Sequence, residues 1–123
     1  MDDIKIFGPE KVTFEKFKKR WWEFSIEDQL GNVGSDVYRA FQWQKKGNCE
    51  YFQGALDRAL ELMDLTIQDP RWKKRLRELC RVREMICDYF LGTNEFKSTP
   101  ESLQNYFDYF ALIAQGKRYE ARL

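Results

Sequence analysis

Ile26, Leu30, Val33, Val37, Ala40 and Phe41 recur at steps of three and four, which places them on one face of an α-helix. Ser25 followed by Asp28 opens this helix in the manner of a capping box. Gly47 and Asn48 end it, the glycine as a C-terminal cap and the asparagine as the next N-cap. The same periodicity predicts a helix over about Cys49 to Gln68, with Phe52, Ala55, Leu56, Ala59, Leu60, Met63 and Ile67 inward. Glu50, Asp57, Glu61 and Asp64 fall on its opposite, solvated side. Asp69-Pro70 then stops one helix and starts another, with aspartate as N-cap and proline at the first helical position. That fourth helix, about 70–91, carries Trp72, Leu76, Leu79, Cys80, Ile86, Cys87 and Phe90 on its apolar line and ends at Gly92. Thr99-Pro100 starts a fifth, lined by Leu103, Tyr106, Phe107, Phe110, Ala111, Ile113 and Ala114 and closed at Gly116. Ahead of all these, Thr13 caps a helix over about 14–24 with Phe14, Phe17, Trp21 and Phe24 on one face.

Five amphipathic helices joined by short connections predict an all-α, single-domain bundle of mostly antiparallel neighbours. The expected division is an irregular segment over 1–12, the bundle over 13–116 and a tail over 117–123. In the first segment Ile4 and Ile6 alternate with polar neighbours as a short strand would, before Gly8-Pro9 breaks the chain.

Composition narrows the chemistry. The 123 residues are 43% apolar and 33% charged, with a net charge of +1, so no global field draws in nucleic acid or an acidic membrane. No apolar run approaches the ~20 residues of a membrane span. The opening Met1-Asp2-Asp3-Ile4-Lys5 is acidic and mixed where a secretory leader is basic and then apolar, so a cytoplasmic location is expected. The three cysteines are an odd number, and Cys80 and Cys87 on one helix stand ~10 Å apart, too far for a disulfide. They read as small, reduced core residues. Histidine is absent, which removes the commonest general base and the commonest nitrogen ligand for zinc or iron. No catalytic residue, metal site or cofactor is therefore expected.

Arg83 is the sharpest anomaly, because it sits mid-stripe on the fourth helix among Leu79, Cys80, Ile86 and Cys87. A guanidinium on a core line must be paired. Asp36, flanking the stripe of the second helix, is the expected partner, and the alternative is a cationic anion site in a groove. A second feature is the basic run Arg71, Lys73, Lys74, Arg75, Arg77, Arg81 and Arg83 beside Trp72. It offers a route to phosphates and base stacking, although its charges spread around the helix and face an acidic neighbour. The cluster Asp57, Glu61 and Asp64 points outward and lacks histidine, unlike the inward carboxylates of di-iron bundles. Gly31-Asn32-Val33-Gly34 lacks the ending of a phosphate loop. Two glycines inside a helical pattern instead permit a close helix–helix or subunit approach. The loop from Gly92 to Phe96, with Asn94 and Glu95, is the preferred ligand site if a ligand exists.

In size and helix count, residues 14–115 resemble the HEPN superfamily of small prokaryotic helical bundles. The resemblance implies a dimerising protein, either a ribonuclease toxin or a partner of a minimal nucleotidyltransferase. The family's nuclease motif is an arginine followed, after four to six intervening residues, by histidine. Asp88, Tyr89 and Phe90 stand at those positions after Arg83, so the resemblance implies a non-nucleolytic member.

The functional expectation is a non-enzymatic interaction module that self-associates, most simply as a homodimer, with a further protein partner allowed. It draws on Gly31 and Gly34 and on the aromatics outside the main stripes: Trp22, Trp43, Tyr89 and Tyr109. The competing class binds RNA or single-stranded DNA through the 71–83 helix, with ribonuclease activity a more distant option.

Overall fold

The computed structural model describes residues 9–123. The segment holding Ile4 and Ile6, where a short strand is expected, lies outside the described residues. The elements are α1 (Pro9–Trp21), α2 (Ile26–Lys46), α3 (Cys49–Gln68), a 3-10 turn (Pro70–Arg75), α4 (Leu76–Leu91) and α5 (Pro100–Arg122). No strand occurs among the described residues. The chain is an all-α bundle, and no helix among the described residues is long and apolar enough to cross a membrane.

The caps act where the sequence places them. Ser25 Oγ accepts from the Asp28 amide, Asn48 Oδ1 from that of Tyr51, and Asp69 from that of Arg71. Thr99 and Ser102 satisfy each other's amides in a reciprocal box, with Pro100 at the first helical position. Gly47, at φ 73°, takes the left-handed conformation that closes α2. The two-residue link Gly47-Asn48 folds α3 back on α2.

α2 is the central helix, packed mainly against α3 and α5. The middle of its stripe is fully buried, since Leu30, Val33, Val37 and Ala40 expose nothing to solvent, while Phe41 at its end is half-buried. The glycines expected to allow a close approach do so within the chain. A Cβ on Gly34 would stand 2.3 Å from Phe107 Cβ, and one on Gly31 3.2 Å from Ala111 Cα, so both mark the α2–α5 crossing. The two helices are antiparallel, since Lys117 and Arg118 near the end of α5 pair with Glu27 and Asp28 at the start of α2. α3 buries Leu56, Ala59 and Met63 as expected, and also Leu62, Leu65 and Thr66. Those three belong to a second face that receives α1.

Four boundaries differ from the sequence expectation. α1 begins at Pro9, so Thr13 lies within the helix instead of capping it, and the helix stops at Trp21. The segment 70–91 is two pieces, because Trp72 (φ −104°, ψ 25°) leaves helical geometry. The kink frees the Trp72 indole for a long-range hydrogen bond and leaves Leu76 43% exposed. α5 passes Gly116 and continues to Arg122, so most of the expected tail is helical. A glycine within a helix costs only ~1 kcal/mol, and the Lys117–Glu27 and Arg118–Asp28 bridges hold the extra turns against α2.

Candidate functional site

Three tryptophans meet at one end of the bundle. The Trp21 indole donates to Thr66 Oγ1 at 3.1 Å and that of Trp22 to the Leu65 carbonyl at 2.8 Å. The Trp72 indole donates to Gln29 Oε1 at 2.8 Å. Gln29 is fully buried and donates in turn to the Trp21 carbonyl and to Asp69 Oδ2. Arg71 grips Asp69 through Nε and Nη2 and reaches the Phe24 carbonyl at 2.7 Å. Burial pushes the Asp69 carboxyl upward, but the Arg71 guanidinium and amide and the Gln29 amide outweigh it and hold the group below its ordinary value. Arg71 and Trp72, which offered the alternative route to phosphates and base stacking, are thus engaged within the chain.

The remaining basic residues are divided by the kink. Arg75 forms an ion pair with Glu78, which also accepts from the Tyr106 hydroxyl at 2.6 Å. Burial and this bond to Glu78 push the Tyr106 phenol above its ordinary value. Lys73, Lys74, Arg77 and Arg81 are exposed, and Arg81 lies over the Phe96 ring at 5.5 Å.

Arg83 is paired, but not with Asp36. Its Nε meets Asp64 Oδ1 at 2.6 Å, with side chains 35% and 46% exposed respectively. Asp64, expected on the outer face of α3, lies on the flank facing α4. The pair is therefore a partly solvated bridge between neighbouring helices rather than a core ion pair. Cys87 Sγ accepts a further contact from Arg83 at 3.6 Å, and Cys80 and Cys87 are half-buried instead of fully internal. Asp36 is buried, accepts from Arg39 at 2.8 Å and forms an ion pair with Arg58 at 3.2 Å, which closes the α2–α3 contact with two arginines on its rim.

The 92–98 loop is closed by its own polar groups. Asp88 accepts from the amides of Glu95 and Phe96. Asn94, at φ 58°, accepts from the Ser98 amide and donates to the Ser98 carbonyl. Both ends of the Asn94 amide are thereby occupied, and Glu95 contributes its backbone to the turn. Asp88 is the residue the sequence reading missed, because its partners lie seven and eight positions further on.

Of the four aromatics expected outside the stripes, three are half-buried. Trp22 belongs to the tryptophan junction, Trp43 packs edge-on to Tyr51 at 4.8 Å, and Tyr89 packs edge-on to Phe41 at 5.4 Å. Tyr89 and Phe41 line a groove of about 400 Å³ with Tyr38, Pro100 and Gln104. Tyr109 alone of the four is exposed, at 62%, and it has company. Leu112, Tyr119 and Leu123 are 68, 64 and 90% exposed. With Gly116 they follow Tyr109 at steps of three, four, three and four. At about 100° per residue this line lies roughly opposite the face that buries Leu103, Phe107, Phe110 and Ala114. α5 is thus apolar on two opposite sides, and one of them meets solvent. Around the described residues no group of three or more cysteine or carboxylate side chains is placed to hold a metal ion.

No family model, curated protein or solved structure matches this chain.

Proposed function

We propose that the protein is a helical interaction module that self-associates through the outward face of α5. The observation that carries this reading is the exposed line Tyr109, Leu112, Tyr119 and Leu123. A helix apolar on two sides is characteristic of a helix covered on two sides, and the α2–α5 packing accounts for only one. With side chains of ~150–200 Å² each, the four offer on the order of 500 Å² per chain. That is the size of the largest apolar patch on a typical monomer, about 300–600 Å², which often marks a functional surface. Two copies would bury on the order of 1,000 Å², the size at which specific interfaces begin. Gly31 and Gly34 no longer argue for a subunit contact, since Phe107 and Ala111 of the same chain occupy the space above them.

Sedimentation of the wild-type chain and of Leu112→Glu tests the reading. A wild-type dimer and a Leu112→Glu monomer with unchanged helicity are expected. A wild-type chain that stays monomeric at high micromolar concentration refutes self-association. Under that result, a mobility shift with RNA or single-stranded DNA at low salt, steeply lost as salt rises, would favour the basic segment instead.

A further inference from the structure

The exposed line on α5 has the spacing of a coiled-coil seam. Tyr109, Gly116 and Leu123 take the a positions of a heptad, and Asn105, Leu112 and Tyr119 the d positions. The flanking g positions are then Glu101, Asp108, Gln115 and Arg122, and the e positions Tyr106, Ile113 and Glu120.

We infer that two copies of the chain pair through antiparallel α5 helices, with the dyad beside Ala114 and with Asp108 of each copy facing Arg122 of the other. The inference rests on the self-association reading above and adds to it the direction and register. In this register each Tyr109 meets Tyr119 of the second copy, each Asn105 meets Leu123, and Ile113 meets its own counterpart at the dyad. Each Leu112 meets Gly116 of the second copy. Gly116 is the hole for this knob: a Cβ there would meet nothing within 4 Å, so packing within its own chain gives no reason for a glycine. This sets Gly116 apart from Gly31 and Gly34, which the α2–α5 crossing requires.

Charge selects this arrangement over its competitors. Lys117 and Arg118 are already bound to Glu27 and Asp28. Arg122 and Asp108 have no ion-pair partner among the described residues, and Asp108 accepts only from the Gln104 amide, at 3.1 Å. A parallel pair would set Asp108 against Ile113 and Gln115 against Glu120, so Asp108 and Arg122 would not meet. Sliding the antiparallel pair by one heptad one way sets Arg122 against Glu101 but strands Asp108 against Gln115, and sliding it the other way sets Arg122 against Gln115, so neither register opposes both charges. The register with its dyad beside Ala114 joins both charges at both ends of the seam.

Two charge reversals test the register by analytical ultracentrifugation, with circular dichroism as the check that each variant folds. Asp108→Arg alone sets two arginines face to face at each end of the seam, and Arg122→Asp alone sets two aspartates face to face there. Each variant alone should dimerise about tenfold or more weakly than wild type, since like charges in register oppose docking. An equimolar mixture of the two should recover wild-type affinity, because every facing pair is then opposite in sign. A wild-type dimer that ignores both reversals, or a mixture no tighter than its components, overturns the antiparallel register while leaving self-association intact. A monomeric wild-type chain overturns both.

Discussion

Gly34→Ala tests how closely α2 and α5 approach. The added Cβ would lie 2.3 Å from Phe107 Cβ and 3.1 Å from Phe107 Cγ. Both Cβ atoms are fixed to their backbones, so no rotamer change relieves the first contact. Truncating Phe107 to alanine would not relieve it either, because the atom that is met remains. The helices must separate by more than an ångström to restore an ordinary carbon–carbon distance of ~3.5–4.0 Å. That shift loosens the core around Leu30, Val33 and Val37, all fully buried. Overpacking of this kind costs about 1–3 kcal/mol, and the rigidity of both atoms puts this case at the upper end. Alanine returns ~1 kcal/mol through its better helix propensity. A net loss of about 2 kcal/mol remains, or roughly 1 M in the urea midpoint at the usual slope for small domains. Gly54→Ala in mid-α3 is the matched control, since its Cβ would meet nothing within 4 Å. It should gain about 0.5–1 kcal/mol from the same propensity difference. The midpoints should therefore move in opposite directions. A Gly34→Ala chain as stable as wild type would show that the crossing is wider than described.

Arg83→Ala should cost no more than ~1 kcal/mol, because its bridge to Asp64 is partly solvated; a double-mutant cycle in urea should couple Arg83 to Asp64 and not to Asp36, and the reverse result would restore the core-pair reading. Gln29→Leu should cost about 1–3 kcal/mol in the same assay, since it orphans the Trp72 indole and takes one of two donors from the Trp21 carbonyl, which keeps the Phe24 amide; a loss below 1 kcal/mol would mean that water replaces the amide. Asp69 titrates below its ordinary value in the folded chain, so its contribution to stability is complete above about pH 4 and drains away as pH falls through that value and lower. Urea midpoints measured from neutral to acid pH should fall more shallowly for Asp69→Asn than for wild type, and parallel curves would place the acid sensitivity elsewhere.

Helix ends were largely legible in the sequence because a cap is a local device. Ser25, Asn48, Asp69 and Thr99 each bond an amide two or three residues ahead, and Gly47 needs only its own φ. The α2 stripe was legible because α2 is buried along one broad face. α3 was half legible: α2 covers Leu56, Ala59 and Met63, whereas α1 covers Leu62 and Leu65 on a second side, and one periodic stripe cannot encode two neighbours. The partner of Arg83 was not legible, since choosing between Asp36 and Asp64 requires knowing which helix crosses α4 at that height. The end of α5 was missed for a similar reason. Gly116 is a local stop signal, and the ion pairs that override it join residues 90 positions apart. The seam on α5 was hidden by the same error, because its heptads emerge when the helix runs past Gly116.

The tryptophan junction gives the molecule a localised optical signature. Of the four tryptophans, three share the hydrogen-bonded cluster around Gln29, Thr66 and the Leu65 carbonyl. Intrinsic emission therefore weighs the end where α1, the start of α2, the end of α3 and the 3-10 turn converge, while Trp43 stands apart against Tyr51. The seam on α5 contains no indole. Loosening of the junction would change the colour of the emission before much helix is lost, and pairing of two copies through α5 would leave it nearly unchanged.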